Sequence, residues 1–112
     1  MKLKEICQFF NSLIMILNSH ALKLLNNDKI ELSFQILLKC QEWNKKNKYP
    51  FDPELVVLTY NHLACCYRRV GHPKLSLKIL EAAKRLLFEK KLQHYKGMTY
   101  LNLSAILSFL NK

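Results

Sequence analysis

His62 and Cys66 are four residues apart, so on a helix they share one face and could offer two ligands to a metal ion. A closed zinc site needs four ligands, and the others would have to come from far along the chain, at Cys40, His20 or His94. A Cys–His nucleophile at Cys65 or Cys66 has no third group in view to orient the histidine. The chain contains no glycine-rich phosphate loop, no H-E-x-x-H and no paired carboxylates with an evident cleft. Nothing in these residues asks for an enzyme, a cofactor or a metal. Tyr60 and Tyr67 could stack on a ligand, but seven residues apart on a helix they read as core. His72, just after Gly71, reads as an exposed turn residue.

The remaining chemistry is bulk charge and thiols. Eighteen Lys and Arg face eight Asp and Glu, a formal net charge of +10. Such a field favours acidic partners, nucleic acid or anionic lipid, and is equally consistent with a solvated surface. Cys7, Cys40, Cys65 and Cys66 show no C-x-x-C spacing, and the adjacent pair would point to different faces of a helix. That pattern makes a poor disulfide framework and fits a reducing compartment, the cytoplasm.

The elements that carry these residues are helical. With 112 residues, half of them apolar, the chain suits one domain, and two glycines and three prolines are few for a sheet-and-turn protein. No segment alternates with period two, so an all-α fold is expected. Leu3, Ile6, Phe10, Leu13, Leu17, Ala21 and Leu24 recur at helical spacing over about Lys2 to Leu25. Met1 to Lys4 followed by the apolar run Ile6 to Leu17 has the outline of a secretory leader, with Ser19 and Ala21 as small residues. Glu5, Gln8, Asn11 and Ser12 interrupt that outline, and the run is too short and polar to span a bilayer.

Asn26-Asn27-Asp28 breaks the first helix, an asparagine supplying the left-handed residue. A second helix spans about Lys29 to Asn47, with Leu32, Ser33, Ile36, Leu37, Cys40 and Trp43 inward. Tyr49-Pro50-Phe51-Asp52-Pro53 punctuates the chain. Asp52 is expected to cap the third helix, and Pro53 to open it. That helix runs to about Val70 and stops at Gly71. Pro73 opens a fourth, to about Lys91, with Leu75, Ile79, Leu80, Ala83 and Leu86 or Leu87 inward. A fifth begins near Lys96, with Tyr100, Leu103, Leu107 and Leu110 as its stripe.

Self-comparison organises these helices. A shift of 43 lays Leu32, Ser33, Ile36 and Leu37 on the identical Leu75, Ser76, Ile79 and Leu80, and Cys40 on Ala83. A shift of 40 lays Thr59, Tyr60 and Leu63 on Thr99, Tyr100 and Leu103, and Ala64 on Ser104. Large matches large and small matches small, as stacked helical hairpins require. The middle unit reads Tyr60-x-x-Leu63-Ala64-x-x-Tyr67-x-x-x-Gly71, then Ser76-x-x-x-Leu80-x-x-Ala83. It resembles the tetratricopeptide repeat. Ala64, Ser76 and Leu80 depart from the family's Gly, Ala and aromatic residue, the closing proline is missing, and the period exceeds the usual ~34 residues. The resemblance places a first repeat at about 14–47, a second at about 57–91 and half of a third at about 96–112, with 1–13 extending the first helix.

The resemblance implies a right-handed solenoid of about five helices in which the first helix of each hairpin lines a concave groove. Asn18, Leu22, Leu58, Asn61, Cys65, Arg68, Arg69, Leu101 and Ala105 would then face a peptide or helix. The asparagines could bond an extended backbone, and the arginines could hold a carboxylate, which suits an acidic partner. A protein-interaction scaffold is the leading expectation. The alternative is a helical-repeat RNA binder whose clusters Lys45-Lys46-Lys48, Lys84-Arg85 and Lys90-Lys91-Lys96 contact phosphates. Leu101, Ile106 and Phe109 beside the inner stripe make the last helix apolar nearly all round, predicting either more hairpins beyond Lys112 or self-association through this helix.

Overall fold

The computed structural model describes residues 2–46 and 52–111. Five helices and no strand occur among them: α1 (Leu3–Asn26), α2 (Ile30–Lys46), α3 (Pro53–Arg69), α4 (Pro73–Glu89) and α5 (Lys96–Leu110). The punctuation at Tyr49, Pro50 and Phe51, with Asn47 and Lys48, lies outside the described residues. Pro53 and Pro73 each open a helix, where a missing N–H costs nothing. Asp52 sits at the N-cap of α3, but its carboxylate caps nothing. Its carbonyl accepts the Leu55 N–H at 2.9 Å, and its own N–H donates to Asn11 Oδ1 at 3.0 Å.

The two hairpin turns are the same turn. Lys29 N–H reaches back to the Leu24 carbonyl and His72 N–H to the Tyr67 carbonyl, both at 2.8 Å. Asp28 and Gly71, at the same place in each turn, take positive φ of 62° and 89°. This six-to-one bond with a left-handed residue before it is the usual way a helix satisfies its last carbonyls. The left-handed residue of the first turn is therefore Asp28, and not an asparagine as expected; Asn27 has φ of −100°.

Across each turn a serine ties the two helices. Ser33 Oγ donates to the Ala21 carbonyl and Ser76 Oγ to the Ala64 carbonyl, each at 2.8 Å. In both cases the two residues are twelve apart with the turn between them, so the second helix folds back along the first. Ala21, Ser33, Ala64 and Ser76 are all buried at these ties, where small side chains let the axes approach, and Ala83 is buried further along α4 against Val57.

The stripes sit slightly off their expected lines. In α1 the fully inward residues are Ile14, Asn18, Ala21 and Leu25, while Leu13, Leu17 and Leu24 lie half-buried at the flank and Leu3 is exposed. In α2 and α4 the matched Leu32 and Leu75 are exposed because Ser33 and Ser76 occupy the inward line. Trp43 is also at the surface. In α5 the inward line is Thr99, Leu103 and Ile106; Tyr100 and Leu107 face out. In α1 and α5 a polar residue on the inward line, Asn18 or Thr99, displaces the apolar count by one position.

Helix α3 touches all four others and is buried on most of its sides, with Thr59, Asn61 and His62 among its buried residues. Its core leucines, Leu55, Leu58 and Leu63, each contribute about 1.5–3 kcal/mol on burial.

A buried polar layer joins the first helices of successive hairpins, and it occurs twice. Asn18 Nδ2 donates to the Ile14 carbonyl (3.1 Å) and to Thr59 Oγ1 (2.9 Å). Thr59 Oγ1 donates to the Leu55 carbonyl at 2.8 Å. His62 Nδ1 lies 2.9 Å from Asn18 Oδ1. One repeat on, Asn61 Nδ2 donates to the Val57 carbonyl (2.9 Å) and to Thr99 Oγ1 (2.8 Å), and Thr99 Oγ1 donates to the Tyr95 carbonyl at 2.8 Å. Asn102 Nδ2 donates to Asn61 Oδ1 at 2.9 Å, in the place His62 takes in the first layer. No buried side-chain polar atom among the described residues is left unpaired.

Candidate partner-binding face

The layered asparagines fix the spacing and rotation of α1, α3 and α5, and so fix which of their side chains reach solvent. Of the residues expected to line a groove, Asn18 and Asn61 do not: both are fully buried and spend their amide groups inside the polar layers. Leu58 is buried too, packed with Ile14 and Cys40. An asparagine in the middle of an apolar helix face reads from sequence as a surface contact. Its structural role could have been found from its partners, since Thr59 and Thr99 repeat with the same spacing.

Leu22, Cys65 and Ala105 occupy one equivalent position on α1, α3 and α5, and each is exposed or half-buried. Cys65, Arg68 and Ala105 come together around a small pocket of about 30 Å³, floored by Ala64 and Asn102. Leu101 stands at the position of Asn18 and Asn61 but has no neighbour to bond and is 73% exposed.

The two arginines have different tasks. Arg69 Nη1 donates to the Leu25 carbonyl at 2.8 Å and lies 3.8 Å from Asp28 Oδ1, so it closes the end of α1 and ties the two hairpins. Arg68 is exposed and makes no ion pair among the described residues. It is the cation available to a carboxylate on this face.

The pair weighed for metal binding is engaged elsewhere. His62 is buried against Asn18 of α1, and Cys66 Sγ lies 3.8 Å from Ser33 Oγ of α2. Burial holds the His62 imidazole below its ordinary pKa, favouring the neutral ring. Asn18 Nδ2 is committed to two acceptors, so Asn18 turns its oxygen to His62, and the proton sits on Nδ1. Burial pushes the Cys40 thiol up to about 11 and raises Cys66 as well. All four cysteines are free thiols. No group of three or more metal-ligating side chains gathers among the described residues. None of their helices is long and apolar enough to cross a membrane.

Comparison of the chain with family models, with curated proteins and with solved structures finds no match.

Proposed function

We propose that the chain is a tetratricopeptide-like hairpin array, a right-handed solenoid that serves as a protein-interaction scaffold and not as an enzyme. It holds an acidic peptide or helix along the row Leu22, Cys65 and Ala105, with Arg68 as the anchor for a carboxylate. One observation carries this reading: every bond of the Asn18 layer recurs in the Asn61 layer, and the Ser33 tie recurs at Ser76. A unit repeated in that detail is a stacking unit, and stacking places equivalent residues of successive first helices in a continuous line. The free thiols favour a reducing compartment such as the cytoplasm.

The RNA-binding reading has less support. Lys46 and Lys39 both turn to Glu42, at 3.0 and 3.5 Å, which neutralises part of the first basic cluster.

Selection of displayed random peptides on the intact chain tests the proposal. Selected peptides should be rich in Asp and Glu and should slow alkylation of Cys65. Arg68→Glu should weaken them by about tenfold or more, the worth of one charge-assisted bond. Arg69 is left intact, because reversing it would also unfasten the end of α1. Peptides that bind Arg68→Glu equally well and leave Cys65 alkylation unchanged would remove the row as the site.

A further inference from the structure

Helices α3, α4 and α5 meet at the small pocket beside Arg68. Its room, about 30 Å³, suits a methyl group or one water molecule and nothing much larger. Ala64 of α3, Leu80 of α4 and Ile106 of α5 line it, and all three are buried. Ser76 reaches it as well, but its hydroxyl proton and the Ala64 carbonyl are spent on each other. A water held there would need about two to four polar partners, which such a floor does not supply. A methyl group matches it.

Around this floor the chemistry changes. Cys65 is half-buried and Ala105 exposed, both small enough to leave the pocket open. Arg68 brings a cation with no ion pair among the described residues, and no acidic side chain is among those lining the pocket. Asn102 Nδ2 donates to Asn61 Oδ1 at 2.9 Å, and Asn61 is itself held by its two acceptors, so the orientation of the Asn102 amide is set. That leaves the Asn102 oxygen as an acceptor. An N–H inside a helix is already bonded, so this oxygen suits the backbone of an extended segment.

We propose that this pocket sets the specificity of the face: it takes the methyl group of an alanine in an extended acidic peptide, two residues from the Asp or Glu held by Arg68. The spacing follows from extended backbone, in which side chains two apart point the same way about 7 Å from each other. A backbone N–H of the same peptide donates to the Asn102 oxygen. The inference rests on the reading of the Arg68 row as a peptide site and adds a rule of size to it. Glycine leaves the pocket empty, and leucine cannot enter. Ala105 is the residue that keeps it open.

The probe is a library of short displayed peptides with aspartate fixed at the centre and the other positions random, selected on the intact chain and sequenced. A matched library with asparagine at the centre reports what the carboxylate is worth. The aspartate library should be retained in preference, and Arg68→Glu should abolish that preference. Within it, alanine two residues from the aspartate should be enriched over glycine by about fourfold, the worth of one buried methyl group, and over leucine by more. Ala105→Leu fills the pocket. Ala105 is exposed on a helix, so this variant should keep its helicity and melting temperature and still prefer aspartate, but lose the preference for alanine. Aspartate preferred through Arg68, with no preference for alanine or one that survives Ala105→Leu, overturns the pocket and leaves the row standing. Equal retention of the two libraries removes the row, and the pocket with it.

Discussion

Ser76 Oγ donates to the carbonyl of Ala64 at 2.8 Å, and this bond joins the two helices of the central hairpin. The serine must be small as well as polar, because it is itself buried against the buried Ala64. Ser76→Ala keeps the size and loses one buried bond, so it should lower stability by about 1 kcal/mol. Ser76→Leu wedges the helices apart and should cost about 1–3 kcal/mol from overpacking, in addition to the lost bond. Urea denaturation of both variants checks the order, and a leucine variant as stable as the alanine one contradicts the close crossing.

His62 makes stability depend on pH. Burial holds its folded-state pKa below the unfolded value of about 6.5, so the folded chain binds fewer protons than the unfolded chain as the pH falls through that value. Its stabilising contribution is therefore complete above about pH 6.5 and declines below it. Asn102 makes the same bond in the second layer, so His62→Asn should keep the layer and remove the titration. The difference in stability between the two proteins should be flat from pH 8 to about 7 and should shift in favour of the variant toward pH 5. A constant difference across that range would place the histidine outside the folded core.

Much of this architecture was legible in the sequence, and the failures share one cause. Five helices, the openings at Pro53 and Pro73, the left-handed Gly71 and the match of Ser33 with Ser76 all follow from spacing and residue size. The faces were harder. Apolar counting put Leu13, Leu17 and Leu32 on the inner lines, and the repeat resemblance turned Asn18 and Asn61 toward the groove, because a buried amide with all its partners cannot be told from an exposed one by type alone. The same blindness put Tyr100 and Leu107 inside α5, when Thr99 holds the inner line by bonding Asn61. On the candidate face, Arg68 and Arg69 are neighbours in sequence, yet only the fold shows that Arg69 is fastened to Leu25.

The thiols should divide two against two. Cys40 and Cys66 are buried, with pKa values raised by that burial, so they offer little thiolate at neutral pH. Cys7 and Cys65 are half-exposed. Iodoacetamide on the native protein, read by peptide mass spectrometry, should label Cys7 and Cys65 quickly, and Cys40 and Cys66 only after denaturant is added. Cys66 labelled as fast as its neighbour Cys65 would mean that α3 is rotated from the orientation described.

Asn61 holds the second polar layer together, and its replacement separates two sources of stability. Asn61→Leu leaves the buried Thr99 Oγ1 without a donor and the half-buried Asn102 Nδ2 without its acceptor. The cost should be about 3 kcal/mol, mostly from the groups left unpaired and not from the bonds themselves. Replacing Thr99 by Val and Asn102 by Leu in the same protein removes those orphans, so the triple variant should recover much of the loss. Chemical denaturation of the single and triple variants measures both quantities. If the triple variant is no better than the single one, shape and not hydrogen bonding sets the register between α3 and α5.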